Sequence, residues 1–163
     1  MFLKYFNLKK NNLNNESFSL YQEIVNHSNN FIKNNLNQRN LNFNEVFEIF
    51  SVVIIFYLKK LKDKNNSECK ILSQAIIDNF VKDLDQHFRE QGIGDMSIGK
   101  YVKSYVKKFY FRIKEFPKYN ENIRSDIFEN YIKLLDISQN NQISDFSTKL
   151  SNKYKELIKI KNI

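Results

Sequence analysis

This chain carries almost no punctuation. Three glycines and a single proline in 163 residues are too few turn formers for a many-stranded all-β fold. Helices joined by polar loops remain. The single alanine, Ala75, excludes a generic alanine-rich bundle, and the length with 42% hydrophobic residues suits one domain around one core. One cysteine, Cys69, and two histidines exclude a disulfide scaffold and a structural zinc domain. The expected class is all-α: a single-domain bundle of about six helices around a central apolar one. Residues 1–16 are expected as a basic N-terminal arm and residues 17–163 as the helical domain.

Hydrophobic spacing predicts where the helices fall. The first runs from about Phe18 to Lys33 on Tyr21, Ile24, Val25, Ser28 and Ile32, with Ser19 and Gln22 as a capping box. An asparagine-rich loop then ends at an Asn42 or Asn44 N-cap. The second helix, about Glu45 to Lys62, contains VFEIFSVVIIFYL, in which only Glu48 and Ser51 are polar. Charges at Glu45, Lys59 and Lys60 cut that run short of the ~20 apolar residues a bilayer requires, so it is read as the central core helix. A third helix from Glu68 carries Cys69, Leu72, Ile76, Phe80, Leu84 and Phe88 on one stripe and stops at Gly92. A fourth runs from Asp95 or Ser97 to about Phe116, before Pro117. A fifth, about Asn120 to Ile137, and a sixth, Ile143 to Ile160, complete the set.

The formal charge of +8 invites nucleic acid, ribosome or an anionic membrane surface as partner. Lysine outnumbers arginine 22 to 4, and asparagine, isoleucine and phenylalanine are abundant, a pattern that A/T-rich codons alone produce. Where the charge sits therefore decides more than its sum. In the first 16 residues the apolar positions are too interrupted by lysine for a secretory signal, and the segment reads as a short amphipathic arm.

All three glycines fall between Arg89 and Lys100, in REQGIGDMSIGK. Gly92 is placed to end one helix, Gly94 to turn, and Asp95 to cap the next by accepting from its free N–H groups. The expected result is a tight corner between two long helices. The spacing is not that of a dinucleotide loop, and Asp95 would repel a phosphate. Glu90, at the disfavoured helix C-terminus, calls for a compensating cation. Beyond the corner, Ile98, Val102, Tyr105, Phe109, Ile113 and Phe116 form an apolar stripe, while Lys100, Lys103, Lys107, Lys114 and Lys118 line the opposite side. Two readings of that ridge stand: a solvated face, or an electrostatic dock for phosphate or acidic groups.

The segment from Asp83 to Phe116, DLDQHFREQGIGDMSIGKYVKSYVKKFYFRIKEF, resembles the signature of the ubiquinol-cytochrome c chaperones, assembly factors of respiratory complex III. The positions that carry it are Asp85, Arg89, Glu90, Gly92, Gly94, Asp95, Lys100, Phe109, Tyr110 and Arg112, and a weaker likeness extends through Leu20 to Val25 and the core helix. Phe111 stands where the family usually has glycine, and the asparagine-rich loop replaces its acidic, glycine-bearing segment. The resemblance implies a non-enzymatic, all-helical protein that binds newly made cytochrome b and promotes its assembly into the oxidoreductase. A second assembly protein and the ribosome are further partners it suggests. It implies no small-molecule substrate and no cofactor, and it favours a bacterial protein on the cytoplasmic side, peripheral to the inner membrane, or a matrix protein if the source is eukaryotic. The partner-binding residues expected from the motif and the ridge together are Asp85, Arg89, Glu90, Gly92, Gly94, Asp95, Lys100, Lys103, Lys107, Tyr110 and Arg112. The different-class alternative is a basic RNA- or ribosome-binding module using the same lysines with Tyr101, Tyr105 or Tyr110 to stack.

Other reactive residues are expected to be structural. His87 has Asp83 and Glu90 at helical spacing but no second histidine nearby, Cys69 falls on an apolar stripe, and no nucleophile has a paired base.

Overall fold

The structure, a computed structural model, describes residues 15–36, 40–64, 67–117, 125–137 and 143–159. Helices α1 (Asn15–Leu36), α2 (Phe43–Lys64), α3 (Ser67–Glu90), α4 (Asp95–Glu115), α5 (Ser125–Ile132) and α6 (Ile143–Lys159) make up the domain, and no strand occurs among the described residues. The all-α class expected from the sequence is the one observed. The proposed arm lies outside the described residues apart from its last two positions, which belong to α1.

The apolar run makes α2 the centre. From Glu45 to Tyr57 every side chain is buried, and α1, α3, α4 and α6 all pack against this helix. Its start is held reciprocally: Glu45 N–H donates to Asn42 Oδ1 at 3.0 Å, and Asn42 N–H donates to Glu45 Oε2 at 3.1 Å. Two of the N–H groups that a helix start leaves without internal partners are thereby satisfied, which fixes the entry of the chain into the core. Asn42 is thus the cap, as one of the two expected residues. The capping box expected at Ser19 and Gln22 does not form, because α1 begins at Asn15, one turn earlier.

Aromatic rings fill the space between α2 and its neighbours. Phe47 and Phe50 meet Phe80 of α3 at 5.9 and 5.7 Å, and Phe80 meets Phe109 of α4 at 4.9 Å. At the other end Phe56 contacts Phe116, Phe128 and Tyr154, which brings in α5 and α6. The fifth helix is shorter than expected, ending at Ile132. Its backbone tightens there, with Leu134 N–H and Leu135 N–H donating three residues back to Tyr131 and Ile132, and the chain leaves helical geometry so that Asp136 N–H can reach into the core, as described below. The expected start near Asn120 lies outside the described residues.

One titratable pair is sealed in this core. Tyr21 of α1 donates its hydroxyl to Asp83 Oδ2 of α3 at 2.8 Å, and both residues are buried. Burial raises the Asp83 carboxyl to about 7, against the lowering effect of the Tyr21 hydrogen bond and with a further push from Glu90. A carboxyl raised on folding keeps its proton longer in the folded chain than in the unfolded one. Folding stability is therefore full below the unfolded value of 3.8 and is progressively lost as pH rises to about 7, after which the penalty is constant. Asp83→Asn, which cannot ionise, is expected to match the parent near pH 4 and to exceed it in melting temperature by pH 8. A gap that does not widen with pH in thermal melts would place the titration of Asp83 elsewhere.

Candidate functional site

The corner between α3 and α4 is built by backbone bonds at the end of α3. Gly92 N–H donates to Arg89 O at 3.0 Å and Ile93 N–H donates to Phe88 O at 3.1 Å, the paired reverse bonds of a Schellman turn. Gly92 takes φ +76° in it, a conformation that costs a side-chain-bearing residue about 1 kcal/mol or more. Gly94, extended at φ −62° and ψ 144°, then occupies the N-cap position of α4 without a side-chain cap. Asp95 does not cap α4, contrary to expectation: it is the first helical residue, and its carboxylate points to Arg89 instead.

Three of the expected partner-binding residues meet at this corner. Arg89 Nε donates to Asp85 Oδ2 at 2.6 Å and Arg89 Nη1 donates to Asp95 Oδ1 at 2.6 Å, so one guanidinium spans the last turn of α3 and the first of α4. All three side chains are exposed, Asp95 at 86%. In water such pairs contribute little to stability, so this arrangement fixes side-chain geometry more than it holds the fold. Glu90, for which a cation was expected, accepts from Gln86 Nε2 at 2.8 Å.

Helix α4 then divides as its periodicity predicts. Ile98, Phe109 and Phe116 are buried with Val102, Tyr105 and Ile113 packed against the core, while Lys100, Lys103, Lys107 and Lys114 are exposed. Lys118 lies outside the described residues. Tyr110 is 49% exposed and closes one wall of a groove of about 420 Å³ between α2, α3 and α4. Leu61, Cys69, Ile77 and Ile113 line that groove, with Lys62 and Lys70 along it.

Arg112 does not belong to this surface. It is buried, and its guanidinium grips Glu48 of α2 through Nε at 3.0 Å and Nη2 at 2.7 Å. Lys108 joins the same carboxylate at 2.9 Å and bridges to Asp136 at 2.7 Å, and Asp136 N–H donates to Glu48 Oε1 at 3.2 Å. Burial works against the charge on Lys108, but the hydrogen bonds to Asp136 and Glu48 outweigh it and hold its ammonium above the ordinary lysine value. Arg112 lies close to the Tyr105 side of the apolar stripe at 100° per residue, which is the signal that an inward role was available to it. Glu48, in an otherwise apolar run, was the matching clue.

Of the histidines, His87 is buried and stacks on Phe43 at 3.9 Å with the rings nearly parallel. His27 sits against the Tyr57 hydroxyl, which donates to Glu23 at 2.9 Å. The described residues contain no cluster of three or more His, Cys, Asp or Glu able to hold a metal ion.

The sequence model of the ubiquinol-cytochrome C chaperone family matches residues 38–127, a span that takes in α2, α3, the corner and α4. The chain belongs to the ubiquinol-cytochrome c chaperone family. Its fold is also similar to the crystal structure of the Cbp3 homolog from Brucella abortus, with a TM-score of 0.71, 21% identity, and 90% of this chain and 82% of that one covered. No curated protein sequence matches the chain. Membership assigns the protein to the chaperones of complex III assembly, a role that involves a protein partner.

For this ubiquinol-cytochrome c chaperone the Glu48 network makes a separable prediction. Glu48→Ala strands Arg112 and Lys108 beside a cavity and should cost about 3–5 kcal/mol. Replacing Glu48 and Arg112 together by methionine removes the buried pair, leaves Lys108 bridged to Asp136, and should recover most of that loss. Urea denaturation of the single and double variants measures both, and equal destabilisation of the two would mean that packing, not charge pairing, is what Glu48 supplies.

Proposed function

We propose that this protein is a non-enzymatic assembly chaperone that receives newly made cytochrome b and holds it for incorporation into the ubiquinol-cytochrome c oxidoreductase, using the α3–α4 corner as its recognition element. The observation that carries this reading is the Arg89 clamp. Asp85, Arg89 and Asp95 hold one another in a single geometry on the outside of the molecule, where the fold gains little from them. Side chains ordered before contact lose less freedom on binding, which is what a recognition site requires.

Gly99 supports the same surface. It lies within the second turn of α4, and a Cβ built there would meet nothing within 4 Å. Its neighbours within the chain do not demand glycine, yet glycine inside a helix costs about 0.5–1 kcal/mol relative to alanine. A partner approaching the backbone closely explains the retained cost. Lys100 stands beside it, and Glu90, Gly92 and Gly94 complete the corner. Tyr110 and the adjoining groove offer apolar surface for a client that is itself a membrane protein. The domain that carries these features spans residues 17–163, and its place of action is the membrane surface where the client inserts. No described helix is long and apolar enough to cross a membrane.

Two substitutions test the site without disturbing the fold. Asp95→Asn removes the carboxylate charge from the clamp, and the melting temperature should stay within about 0.5 kcal/mol of the parent in stability terms. Gly99→Ala should stabilise α4 by up to about 1 kcal/mol. Both are expected to lower recovery of cytochrome b with the tagged protein and accumulation of complex III in the host. Normal recovery and accumulation with both variants would remove the corner from the client site.

A further inference from the structure

The outward face of α4 mixes charge with exposed apolar surface in a way that the corner does not account for. At 100° per residue, Met96, Lys100, Lys103, Lys107, Tyr110, Phe111 and Lys114 fall within an arc of about 100°. All seven are exposed, Met96 at 94% and Phe111 at 46%. No acidic residue of the helix enters the arc, since Asp95 and Glu115 project from its flanks. The lysines lie along the middle of the strip with Met96 at one end and Tyr110 and Phe111 near the other, so it extends about 27 Å at 1.5 Å per residue.

We infer that this strip is a docking surface for an anionic lipid bilayer, with α4 lying parallel to the membrane plane. Three features select a bilayer over the other partners of a basic face. The apolar members include Met96, the most exposed large apolar side chain among the described residues, which inserts among acyl chains but offers no plane on which a base stacks. The cations are all lysine, whose long stems cover apolar surface while the ammonium stays at headgroup level. Lysine is depleted at the cores of protein interfaces, and here it makes up four of the seven positions. The geometry is also fixed from within. Lys108 and Arg112, on the opposite side of the same helix, are tied to Glu48, so α4 cannot roll and the strip is held outward.

This inference adds a lipid contact to the assembly role proposed above, and vesicles without any client test it separately. The purified full chain should co-sediment with vesicles of phosphatidylcholine containing phosphatidylglycerol and not with phosphatidylcholine alone. Lys103→Gln with Lys107→Gln should weaken that binding about 25-fold, from about fivefold for each lysine at an anionic surface. Met96→Ser with Phe111→Ser should weaken it while leaving its salt dependence unchanged, because only the apolar part is removed. Lys82→Gln, an exposed lysine on α3, should bind as the parent does. Circular dichroism melts on each variant confirm that it is folded, and if the serine pair is unfolded, the uncharged Phe111→Gln serves in its place. Equal binding to both vesicle types, full binding by the lysine pair, or capture of single-stranded RNA with no vesicle binding would each overturn the inference. Loss of vesicle binding with normal corner phenotypes, or the reverse, separates the failure of one reading from the failure of the other.

Discussion

The structure turns on a carboxylate placed where a carboxylate is costly. Glu48 sits in the middle of the most apolar helix with no exposure to solvent, and it is satisfied by a bidentate arginine, a lysine and a backbone N–H drawn from two separate parts of the chain. An ion pair of this kind seldom adds net stability relative to well-packed apolar side chains. What it does add is selectivity among arrangements. Sliding α4 along α2 by one turn, or rolling it about its axis, would leave a buried charge alone at a cost of several kcal/mol, while a purely apolar contact would tolerate such shifts far better. The aromatic packing around Phe80 and Phe109 supplies the driving force for burial, and the Glu48 network decides which of the possible packings is adopted.

That division of labour explains why one face of α4 is left exposed. A helix carrying six cationic side chains in 21 residues has several ways to turn toward a core, and among the described residues only Lys108 and Arg112 have a carboxylate waiting for them. The others are left in solvent on the opposite side. The corner residues are held differently, through short-range contacts among exposed groups, so the two ends of the helix owe their geometry to forces of different kinds.

Most of the fold was legible because its signals are periodic and local. The boundaries of α2, α3 and α4 follow from the apolar run, the glycine at position 92 and the proline at 117, and the asparagine-rich stretch narrows the cap of α2 to Asn42 or Asn44, of which the structure uses Asn42. What escaped the sequence was pairing across distance. Nothing within a few residues of Arg112 shows that its partner lies 64 positions earlier, so from sequence alone a motif arginine beside a lysine ridge reads as a surface residue. Asp95 failed as a cap for a related reason: a carboxylate at a helix start satisfies either free N–H groups or a nearby cation, and Arg89 came within reach only once the Schellman turn folded the two helices back on each other. Asp83 shows the same limit, since its burial against Tyr21 depends on the packing of α1.

The separations along the chain within these contacts also order them in time. The clamp at the corner joins residues four and six positions apart, across a connection of only four residues, so it forms as soon as α3 and α4 zip into a local hairpin, with little loop-closure entropy to overcome. The bonds that set the roll of α4 reach back 64 residues to Glu48, and the last of them, from Asp136, spans 88. During synthesis from the N-terminus every residue of the corner is made before the segment after α5 that supplies Asp136. The corner geometry thus rests on short-range contacts alone, while the orientation of the basic face depends on contacts between distant parts of the chain.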